Sequence, residues 1–482
     1  MNISALTTDF YELTMMQGFF KNNYNPKVVF DMFYRTNPFN GGYALFAGLD
    51  QLLEKLENFR FSEEDIDYLR TLNMFDDDFL EYLSNFKFKG TLYSMDEAEV
   101  VFAGEPLIRI HTNLIDAQLI EGMLLNTINF QTLIATKASR MVIASKGSSI
   151  MEFGLRRAQG DDGALSASRA SFIGGTKVTS NTLAGRLFDI PVSGTMAHSW
   201  IMSFDSEEEA FRKFAKIYPD NCILLIDTYD TLGSGIENAI KIGLEQKAIG
   251  KKIGVRIDSG DMSYLPRVIR DRLDEAGLTD AIIVVSNDIT EEIIQALVSE
   301  EVPIDLWGIG THLVTGGFQS SLNGVYKLCA KEGKDGNFIP TMKISNSFGK
   351  TTNPAIKQVW RFYDEKLGAL ADLITLDSEK IVEGKDYTFY HPFSETDFFK
   401  LKQNKYTSIK PLLSLKMKDG VRVDDKKDLK QLQKIASENL EKFHKSYKRQ
   451  INPHIYKVSL SRELRMLKRE LVSKERLKME KE

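Results

Sequence analysis

The middle of the chain repeats one pattern, a short apolar run followed by a longer amphipathic stretch. Six such runs lie between residues 149 and 311, and they read SIMEFG, IPVSGT, CILLIDT, IGVRIDSG, AIIVVSND and DLWGIGT. Short runs rich in β-branched residues are typical of buried strands, and most of the stretches between them have helical spacing. Because alternating strands and helices form parallel sheets, the pattern predicts a β/α fold, either doubly wound or closed as a barrel. No reversal of the topology is visible, so we expect an irregular eight-stranded barrel.

Helix signals support this interpretation. Asp205 with Glu208, and Asp288 with Glu291, have capping-box spacing, which predicts that helices begin there. Between residues 116 and 145 apolar residues recur at helical spacing, so a long helix or a helix pair is expected to join the barrel to the preceding domain.

The pattern divides the chain into three segments. Residues 1–115 mix short helical and strand-like pieces and are expected to form an N-terminal α+β domain. Residues 116–360 are expected to form the barrel and to carry the catalytic residues. Residues 361–482 are predicted to be a largely helical C-terminal extension.

Two amphipathic stretches, 426–450 and 461–482, suggest that the C-terminal segment is helical. In the second stretch Leu464, Leu467 and Leu471 lie on one stripe. Two roles remain open for these helices: docking on the fold, or binding a partner protein or nucleic acid.

Composition restricts the classes of function. The 482 residues are 43% hydrophobic and 27% charged, and the net charge of −5 argues against nucleic acid as a ligand. The N-terminal residues lack a signal-peptide layout, and no apolar run reaches the about 20 residues that span a bilayer, so a cytoplasmic protein without membrane contact is expected. Cys222 and Cys329 lie in apolar runs, which predicts buried reduced thiols.

Polar residues and glycines follow the apolar runs at their carboxyl ends. They include Arg156, Arg157, His198, Asp227, Asp230, Arg256, Asp258, Ser286, Asn287, Asp288, Gly308, Gly310 and Thr311. Ligands of parallel β/α folds bind at that end of the sheet, so these residues are expected to converge. Arginines suit carboxylate or phosphate, aspartates suit sugar hydroxyls or hydrated magnesium, and a glycine loop offers N–H groups to phosphate. The set predicts a phosphorylated sugar and an anionic partner as ligands.

Eight segments resemble, in order, the signature segments of the nicotinate phosphoribosyltransferase family. They are TDFYELTM (8–15), EFGLRRAQGDDG (152–163), GGTKVTSNTLAG (174–185), SGTMAHSW (193–200), DTYDT (227–231), RIDSGD (256–261), GIGTHLVT (308–315) and KISNSFGKTTNP (343–354). The resemblance implies an irregular α/β barrel of the type II phosphoribosyltransferases beside an N-terminal α+β domain. It also implies a homodimer with shared active sites.

The family transfers a phosphoribosyl group from phosphoribosyl pyrophosphate to nicotinate, in the salvage route to NAD. The products are nicotinate mononucleotide and pyrophosphate, and the reaction is coupled to ATP hydrolysis. The resemblance therefore implies ATP and Mg²⁺ as cofactors, without a set of protein side chains assigned to the metal.

Residue roles carry over from the same resemblance. His198 matches the histidine that ATP phosphorylates, and a neutral imidazole is a good nucleophile near pH 7. The residues that match nicotinate contacts are Arg156, Ser199 and, from the neighbouring subunit, Tyr11. The residues that match phosphoribosyl pyrophosphate contacts are Arg256, Asp258, Asn287, Gly310 and Thr311. Lys177 and His312 receive no role.

Two alternatives remain to be weighed. The related nicotinamide phosphoribosyltransferase family has an aspartate in the loop that matches TSNTLAG, where it accepts the amide N–H of the substrate. Here that position is Asn181, and because an acid there would repel a carboxylate, its absence favours nicotinate. The other alternative is a non-catalytic sensor of phosphoribosyl ligands, which would bind without turnover.

Overall fold

The computed structural model describes residues 4–345 and 351–479 of the chain. It divides into two compact units. The first is drawn from Met1–Leu133, Ser321–Lys427 and Lys434–Glu482, and the second from Ile134–Ser320 and Asp428–Gln433. The N-terminal and C-terminal segments, expected from the sequence to be separate, thus contribute to one unit. Residues 346–350 of the motif KISNSFGKTTNP lie outside the described residues.

Helices are distributed over the whole described chain. They are α1 (Phe10–Lys21), α2 (Leu49–Asn58), α3 (Glu63–Thr71), α4 (Asp77–Ser84), α5 (Leu114–Leu119), α6 (Glu121–Ala144), α7 (Asp161–Ile173), α8 (Thr182–Phe188), α9 (His198–Met202), α10 (Glu207–Ile217), α11 (Ile236–Ala248), α12 (Tyr264–Glu275), α13 (Glu291–Ser299), α14 (Thr311–Val314), α15 (Leu429–Glu441) and α16 (Arg462–Met479). Within the described ranges, no helix is both long and apolar enough to cross a membrane.

The strands are numbered in the same way. They are β1 (Lys27–Tyr34), β2 (Ala44–Leu45), β3 (Thr91–Ser94), β4 (Val100–Val101), β5 (Ile108–Asn113), β6 (Ser149–Glu152), β7 (Val178–Thr179), β8 (Cys222–Leu225), β9 (Ile253–Ile257), β10 (Ile282–Asn287), β11 (Leu306–Ile309), β12 (Gly324–Glu332), β13 (Phe338–Pro340), β14 (Lys357–Asp364), β15 (Gly368–Leu376), β16 (Tyr387–Tyr390), β17 (Phe398–Leu401), β18 (Ser408–Pro411), β19 (Ser414–Lys418), β20 (Val421–Arg422) and β21 (Val458–Leu460).

The expected helices are present, with their starts shifted by one or two residues. Helices α5 and α6 form the helix pair predicted between 116 and 145. The N-cap of α10 is Ser206, whose hydroxyl accepts from Glu209 N, rather than Asp205. The N-cap of α13 is Thr290 rather than Asp288. In both cases the hydroxyl lies next to the first helical residue, where it reaches the free N–H groups of the first turn.

The second unit is built on a parallel sheet in the order β7-β6-β11-β10-β9-β8. Strands β8, β9, β10 and β11 are neighbours in chain order, and so are β6 and β7. The last strand, β11, pairs with the first, β6, as in a barrel. Five of the six apolar runs form its strands β6, β8, β9, β10 and β11. The predicted β/α fold is confirmed, and the sheet is a curled half-barrel.

The barrel has fewer strands than the eight that were expected. The remaining run, IPVSGT, forms no strand and contributes only a single β-bridge, between Val192 and Thr179 of β7. Pro191 precedes Val192 and has no N–H to donate to a ladder, which limits pairing there. The sheet therefore has six strands, and β7 and β8 are its two edge strands.

The first unit contains two larger sheets. One has the order β13-β12-β1-β5-β3-β19-β20, and the other has the order β17-β16-β21-β15-β14-β18.

The prediction of a largely helical segment after residue 360 was wrong. The two amphipathic stretches do form α15 and α16, and Leu464 of α16 is buried in the core, but strands fill most of the segment before α15. Strands β16 to β21 have only two to five residues each, and the longer β15 lacks a strict alternation of apolar and polar residues. Both signals are far weaker than that of the two helices.

Arg361, on β14, is the centre of a buried ionic cluster in the first unit. Its guanidinium lies 2.7 Å from Asp372 Oδ2 and 2.8 Å from Glu99 Oε1, and all three side chains are buried. Tyr456 donates a hydrogen bond of 2.9 Å to Asp372 Oδ1. Burial, followed by the charge of Asp372, raises the pKa of Glu105 well above its ordinary value. These groups depend on one another, because a buried charge without its partner is strongly destabilising.

Replacing Asp372→Asn should destabilise the first unit, because Arg361 stays buried but loses a charged partner. We expect the free energy of unfolding to fall by about 3 to 5 kcal/mol, measured by urea unfolding followed by circular dichroism. The control is Lys402→Ala, which removes an ion pair with Asp386 between exposed side chains and should leave the midpoint nearly unchanged. An unchanged midpoint for Asp372→Asn would show that the cluster does not stabilise the fold.

Candidate active site

The ends of the parallel strands position most of the predicted site residues. Arg156 follows β6, Asp258 follows β9, Asn287 is the last residue of β10, and Gly310 follows β11. Because the strands are parallel and in register, with Ile309 beside both Asn287 and Glu152, these positions share one edge of the sheet. This is the edge at which ligands bind in parallel β/α folds.

His198 begins helix α9 at this edge, and its side chain is 40% exposed. Its Nδ1 lies 3.1 Å from Thr228 Oγ1, in the loop after β8. Its Nε2 lies 3.9 Å from Asp258 Oδ2, beyond direct hydrogen-bond distance. One ring nitrogen is therefore held by the protein, while the other faces a carboxylate and remains accessible to a reactant.

Asp258 is itself held by neighbouring loops. Its backbone N–H donates to Asp227 Oδ2 at 2.9 Å, and its Oδ1 accepts a hydrogen bond of 2.5 Å from the Ser286 hydroxyl. Ser259 donates to the same oxygen of Asp227 at 2.6 Å. The other oxygen of Asp227, Oδ1, is buried and has no hydrogen-bond partner among the described residues. That oxygen therefore has an unused capacity to accept a hydrogen bond or to bind a cation.

Arg256 extends from β9 toward the segment before His198. Its guanidinium donates to the Thr195 hydroxyl and, at 3.2 Å, to the carbonyl of Met196. Burial lowers the pKa of Arg256, and Asp258 and Asp227 oppose that effect by favouring the charged form. The Arg256 side chain is therefore oriented by the segment that carries His198. The charged groups that act on it are the carboxylates of Asp258 and Asp227 and the guanidinium of Arg156.

Arg156 has a different environment, because its guanidinium is exposed. It lies in a 3₁₀ turn, Leu155–Arg157, directly after the loop that leaves β6. In the part of the chain that the structure describes, Arg156 has no ion-pair partner. A free, exposed guanidinium at the ligand edge suits recognition of a carboxylate, which it can bind through two parallel hydrogen bonds.

The glycine loop after β11 packs tightly against the loop that carries Arg156. A Cβ added to Gly310 would lie 3.2 Å from Phe153 O, and one added to Gly308 would lie 2.9 Å from the Phe153 ring. Thr311 begins the short helix α14. The close approach explains why glycines occupy both positions, since side chains would separate the two loops.

Asn287 has an unusual backbone conformation. Its φ is 124°, a value that residues other than glycine rarely adopt, and its side chain is exposed at the end of β10. Such strain costs about 1 to 3 kcal/mol and persists where the surroundings impose it, often at functional sites. Ser199 is likewise exposed, one residue after His198.

Asn181 does not project freely into the site. It is buried, its Oδ1 accepts from Ala184 N at 3.2 Å, and its Nδ2 donates to Ser168 Oγ at 3.3 Å. It therefore caps helix α8 and holds the loop, and the carboxylate that would accept an amide N–H of the substrate is absent from this position.

The remaining residues considered from sequence belong to the first unit or have no evident role. Tyr11, on α1, belongs to the first unit and is half exposed, and burial with neighbouring Glu12 raises its pKa. His312 Nδ1 is buried without a partner within the described ranges, and Lys177 is exposed. No set of three or more His, Cys, Asp and Glu side chains in the described residues is arranged to hold a metal ion.

Comparisons with known proteins agree over most of the chain. Residues 148–364 match the nicotinate phosphoribosyltransferase family, residues 6–129 match its N-terminal domain, and residues 356–468 match its C-terminal domain. A nicotinate phosphoribosyltransferase of Bacillus subtilis is 40% identical, with 95% of this chain and 93% of that protein aligned. The chain belongs to the nicotinate phosphoribosyltransferase family. The human enzyme of that name is 30% identical, with 96% and 95% aligned.

Solved structures support the fold of this family member. A crystal structure of human nicotinic acid phosphoribosyltransferase superposes with a TM-score of 0.85, at 28% identity, and covers 96% of this chain and 99% of that one. A nicotinate-nucleotide pyrophosphorylase from Pyrococcus furiosus has a TM-score of 0.71 at 22% identity, a likeness of fold alone. The expected type II phosphoribosyltransferase fold is confirmed.

In this family member, the sequence left three site groups without a role. The Thr228 hydroxyl contacts His198, and the Ser286 hydroxyl contacts Asp258. Glu152, at the end of β6, accepts hydrogen bonds from three donors. Position after an apolar run had already placed Ser286 among the residues expected to converge, without a role, and the same signal could have found Thr228. Glu152 gave a weaker signal, because a carboxylate at the end of an apolar run is usually solvated.

Proposed function

We propose that the protein transfers a phosphoribosyl group from phosphoribosyl pyrophosphate to nicotinate and couples this transfer to ATP hydrolysis. Nicotinate mononucleotide and pyrophosphate are the products of the transfer. The observation that carries the proposal is the meeting of His198, Asp258 and Arg256 at the ligand edge of a parallel sheet, in a chain of this family. The buried, free cysteines Cys222 and Cys329 suit a reducing compartment, and we propose the cytoplasm.

Arg156 binds the carboxylate of nicotinate in this proposal, together with Ser199. Its guanidinium is exposed and unpaired in the described structure, so it can form a charge-assisted, two-point contact without breaking an existing one. Asn181 adds no negative charge that would repel the carboxylate. This combination favours nicotinate over the alternative substrate nicotinamide.

The sugar and its phosphates bind along the other strand ends. Arg256 contacts the phosphoribosyl pyrophosphate, Asp258 and Asn287 hold polar groups of the ribose or pyrophosphate, and Gly310 with Thr311 offers backbone N–H groups to the 5′-phosphate. Departure of pyrophosphate leaves positive charge at the anomeric carbon, which the nitrogen of nicotinate attacks.

Magnesium fits the acidic part of this site. Asp227 Oδ1 is buried and unpartnered, and Asp258 Oδ2 faces the site, so the two would supply oxygen ligands of the kind that magnesium prefers. When bound with pyrophosphate, the ion would offset the negative charge on the leaving oxygens.

His198 receives a phosphoryl group from ATP in the coupled reaction. Its accessible Nε2 attacks the γ-phosphorus, the bond to the bridging oxygen breaks, and ADP leaves; water later removes the phosphoryl group as inorganic phosphate. Thr228 keeps the ring oriented through Nδ1. Joining a pyridine nitrogen to ribose gives a cationic ring, so coupling to ATP hydrolysis favours product formation.

A dimer with shared sites completes the proposal. Tyr11 is half exposed, and Phe10, Met15 and Tyr24 near it are also exposed, which is unusual for large apolar side chains so close together. In this proposal the Tyr11 ring stacks on nicotinate bound by the neighbouring subunit. A sensor without turnover is the competing candidate, and a simple rate assay distinguishes it.

The first prediction concerns phosphorylation of His198. Incubation with γ-labelled ATP should leave an acid-labile, base-stable label on the peptide that contains His198. His198→Asn should abolish both the label and the stimulation of the rate by ATP, while slower transfer without ATP remains, because the substrate contacts are intact. Labelling that persists in folded His198→Asn protein would exclude this residue as the nucleophile.

The second prediction concerns the choice of acid over amide. Arg156→Ala should lower kcat/KM for nicotinate by about 10- to 150-fold, since a charge-assisted pair contributes about 1.5 to 3 kcal/mol. Turnover of nicotinamide should change much less. Arg212→Ala is the control, because Arg212 is an exposed arginine of helix α10 whose partners are Glu208 and Glu245. Equal turnover of nicotinate and nicotinamide by the unaltered protein would contradict the selectivity.

The third prediction concerns the shared site. Tyr11→Ala and His198→Asn chains should each have little ATP-stimulated activity. Mixing them should restore part of it, because one site of a hybrid dimer receives both intact residues. Subunit exchange is checked with two affinity tags. Exchange without recovered activity would show that Tyr11 does not complete a partner's site.

A further inference from the structure

Glu152 is a fully buried carboxylate at the last position of β6. Its Oε1 accepts the backbone N–H of Gly154 at 2.5 Å. Its Oε2 accepts the Ser168 hydroxyl at 2.8 Å and the Thr179 hydroxyl at 2.5 Å. One side chain thereby joins the turn after β6, helix α7 and strand β7.

The ionised form of this carboxylate is well suited to that environment. An ionised carboxylate is only an acceptor, and each of the three groups around it donates. In the described part of the chain Glu152 has no ion pair, so these hydrogen bonds are what compensates for its burial. Bonds to a charged acceptor are stronger than neutral ones, and losing one leaves a buried group without its partner.

Two segments of the acceptor site are fixed by these bonds. Gly154 lies two residues before Arg156, and its N–H is the one bound to Glu152. Thr179 lies two residues before Asn181, and its hydroxyl also accepts the backbone N–H of Asn181 at 3.0 Å. The position of the Arg156 turn relative to the Asn181 loop therefore depends on Glu152.

The Arg156 turn is confined on its other side as well. Phe153 N donates to Ile309 O at 2.8 Å, and a Cβ added to Gly154 would lie 2.2 Å from Cγ1 of Val314 on α14. Strands β11 and β7 lie on opposite sides of β6, so β11 and α14 limit the turn on one side and the bonds from Glu152 to Gly154 and Thr179 hold it on the other.

We infer that Glu152 is a positioning residue that acts through Arg156 and sets the preference of the site for a carboxylate-bearing pyridine acceptor over its amide. This inference rests on the proposed role of Arg156. Glu152 does not touch the acceptor; it fixes the guanidinium at the place where two-point contact with a carboxylate is possible.

The test is Glu152→Gln, which keeps the size of the side chain but replaces one acceptor oxygen by an NH₂ group. We expect KM for nicotinate to rise about 10- to 100-fold, because displacement of a binding group by about 1 Å has effects of this order. KM for phosphoribosyl pyrophosphate should stay nearly unchanged, and the ratio of nicotinate to nicotinamide turnover should fall. An equal rise in KM for nicotinate and for phosphoribosyl pyrophosphate would overturn the inference. So would an unchanged ratio of nicotinate to nicotinamide turnover.

A double-mutant cycle isolates the path through Arg156. In an Arg156→Ala background, adding Glu152→Gln should change kcat/KM for nicotinate by less than about twofold, since residues that act through one group are not additive. Full additivity would show that Glu152 acts independently of Arg156. If the unaltered protein shows no turnover, the proposed function fails, and the same cycle is then measured by calorimetry with nicotinate as the ligand.

A second pair of variants covers the case in which Glu152→Gln does not fold. Thr179→Val removes one donor to Glu152 at nearly constant volume, whereas Thr179→Ser keeps the hydroxyl. Thr179→Val should raise KM for nicotinate in the same direction as Glu152→Gln, and Thr179→Ser should restore it. Similar values for the two variants would contradict the positioning role.

Discussion

The parallel hydrogen-bond ladder of the second unit is the constraint on which the candidate site depends. Strands β8, β9, β10, β11 and β6 follow one another in register, so their carboxyl ends meet at one edge. Neighbouring strands lie about 4.8 Å apart, which is within reach of side chains on adjacent loops. Residues separated by more than a hundred positions along the chain therefore contact one another, and none of them would bind a ligand alone.

At that edge of the sheet positively and negatively charged side chains lie close together. Burial disfavours the charged form of Arg256, whereas Asp227 and Asp258 stabilise it. The carboxylates are in turn held by hydroxyl and backbone donors, which leaves one oxygen of Asp227 free of partners in the described structure. Such an arrangement can accept a ligand that carries both anionic phosphates and a cation, because each charge of the ligand finds its complement.

Strong perturbation of ionisable groups does not by itself mark the active site of this protein. In the first unit Arg361, Asp372, Glu99 and Glu105 form a cluster that is far more deeply buried than the side chains of His198 and Asp258. There the charges satisfy one another and are shielded by aromatic rings such as Phe443, whose centroid lies 5.0 Å from the guanidinium. The ligand edge differs in exposure: the side chain of His198 is 40% exposed and that of Arg156 is exposed, whereas the side chains of the ion cluster are buried.

The sequence by itself determined the β/α alternation, the helical stretch between residues 116 and 145 and the candidate residues at the strand ends, since apolar periodicity and position after a run are local properties. It failed where the signal was short. The small strands of the C-terminal segment alternate over only a few residues, and β19 pairs with β3, more than 300 positions away. Only the tertiary structure decided which loops meet, that IPVSGT gives a bridge rather than a strand, and that Glu152 is buried among three donors. Burial and partner geometry depend on residues distant in the chain, and no local pattern encodes them.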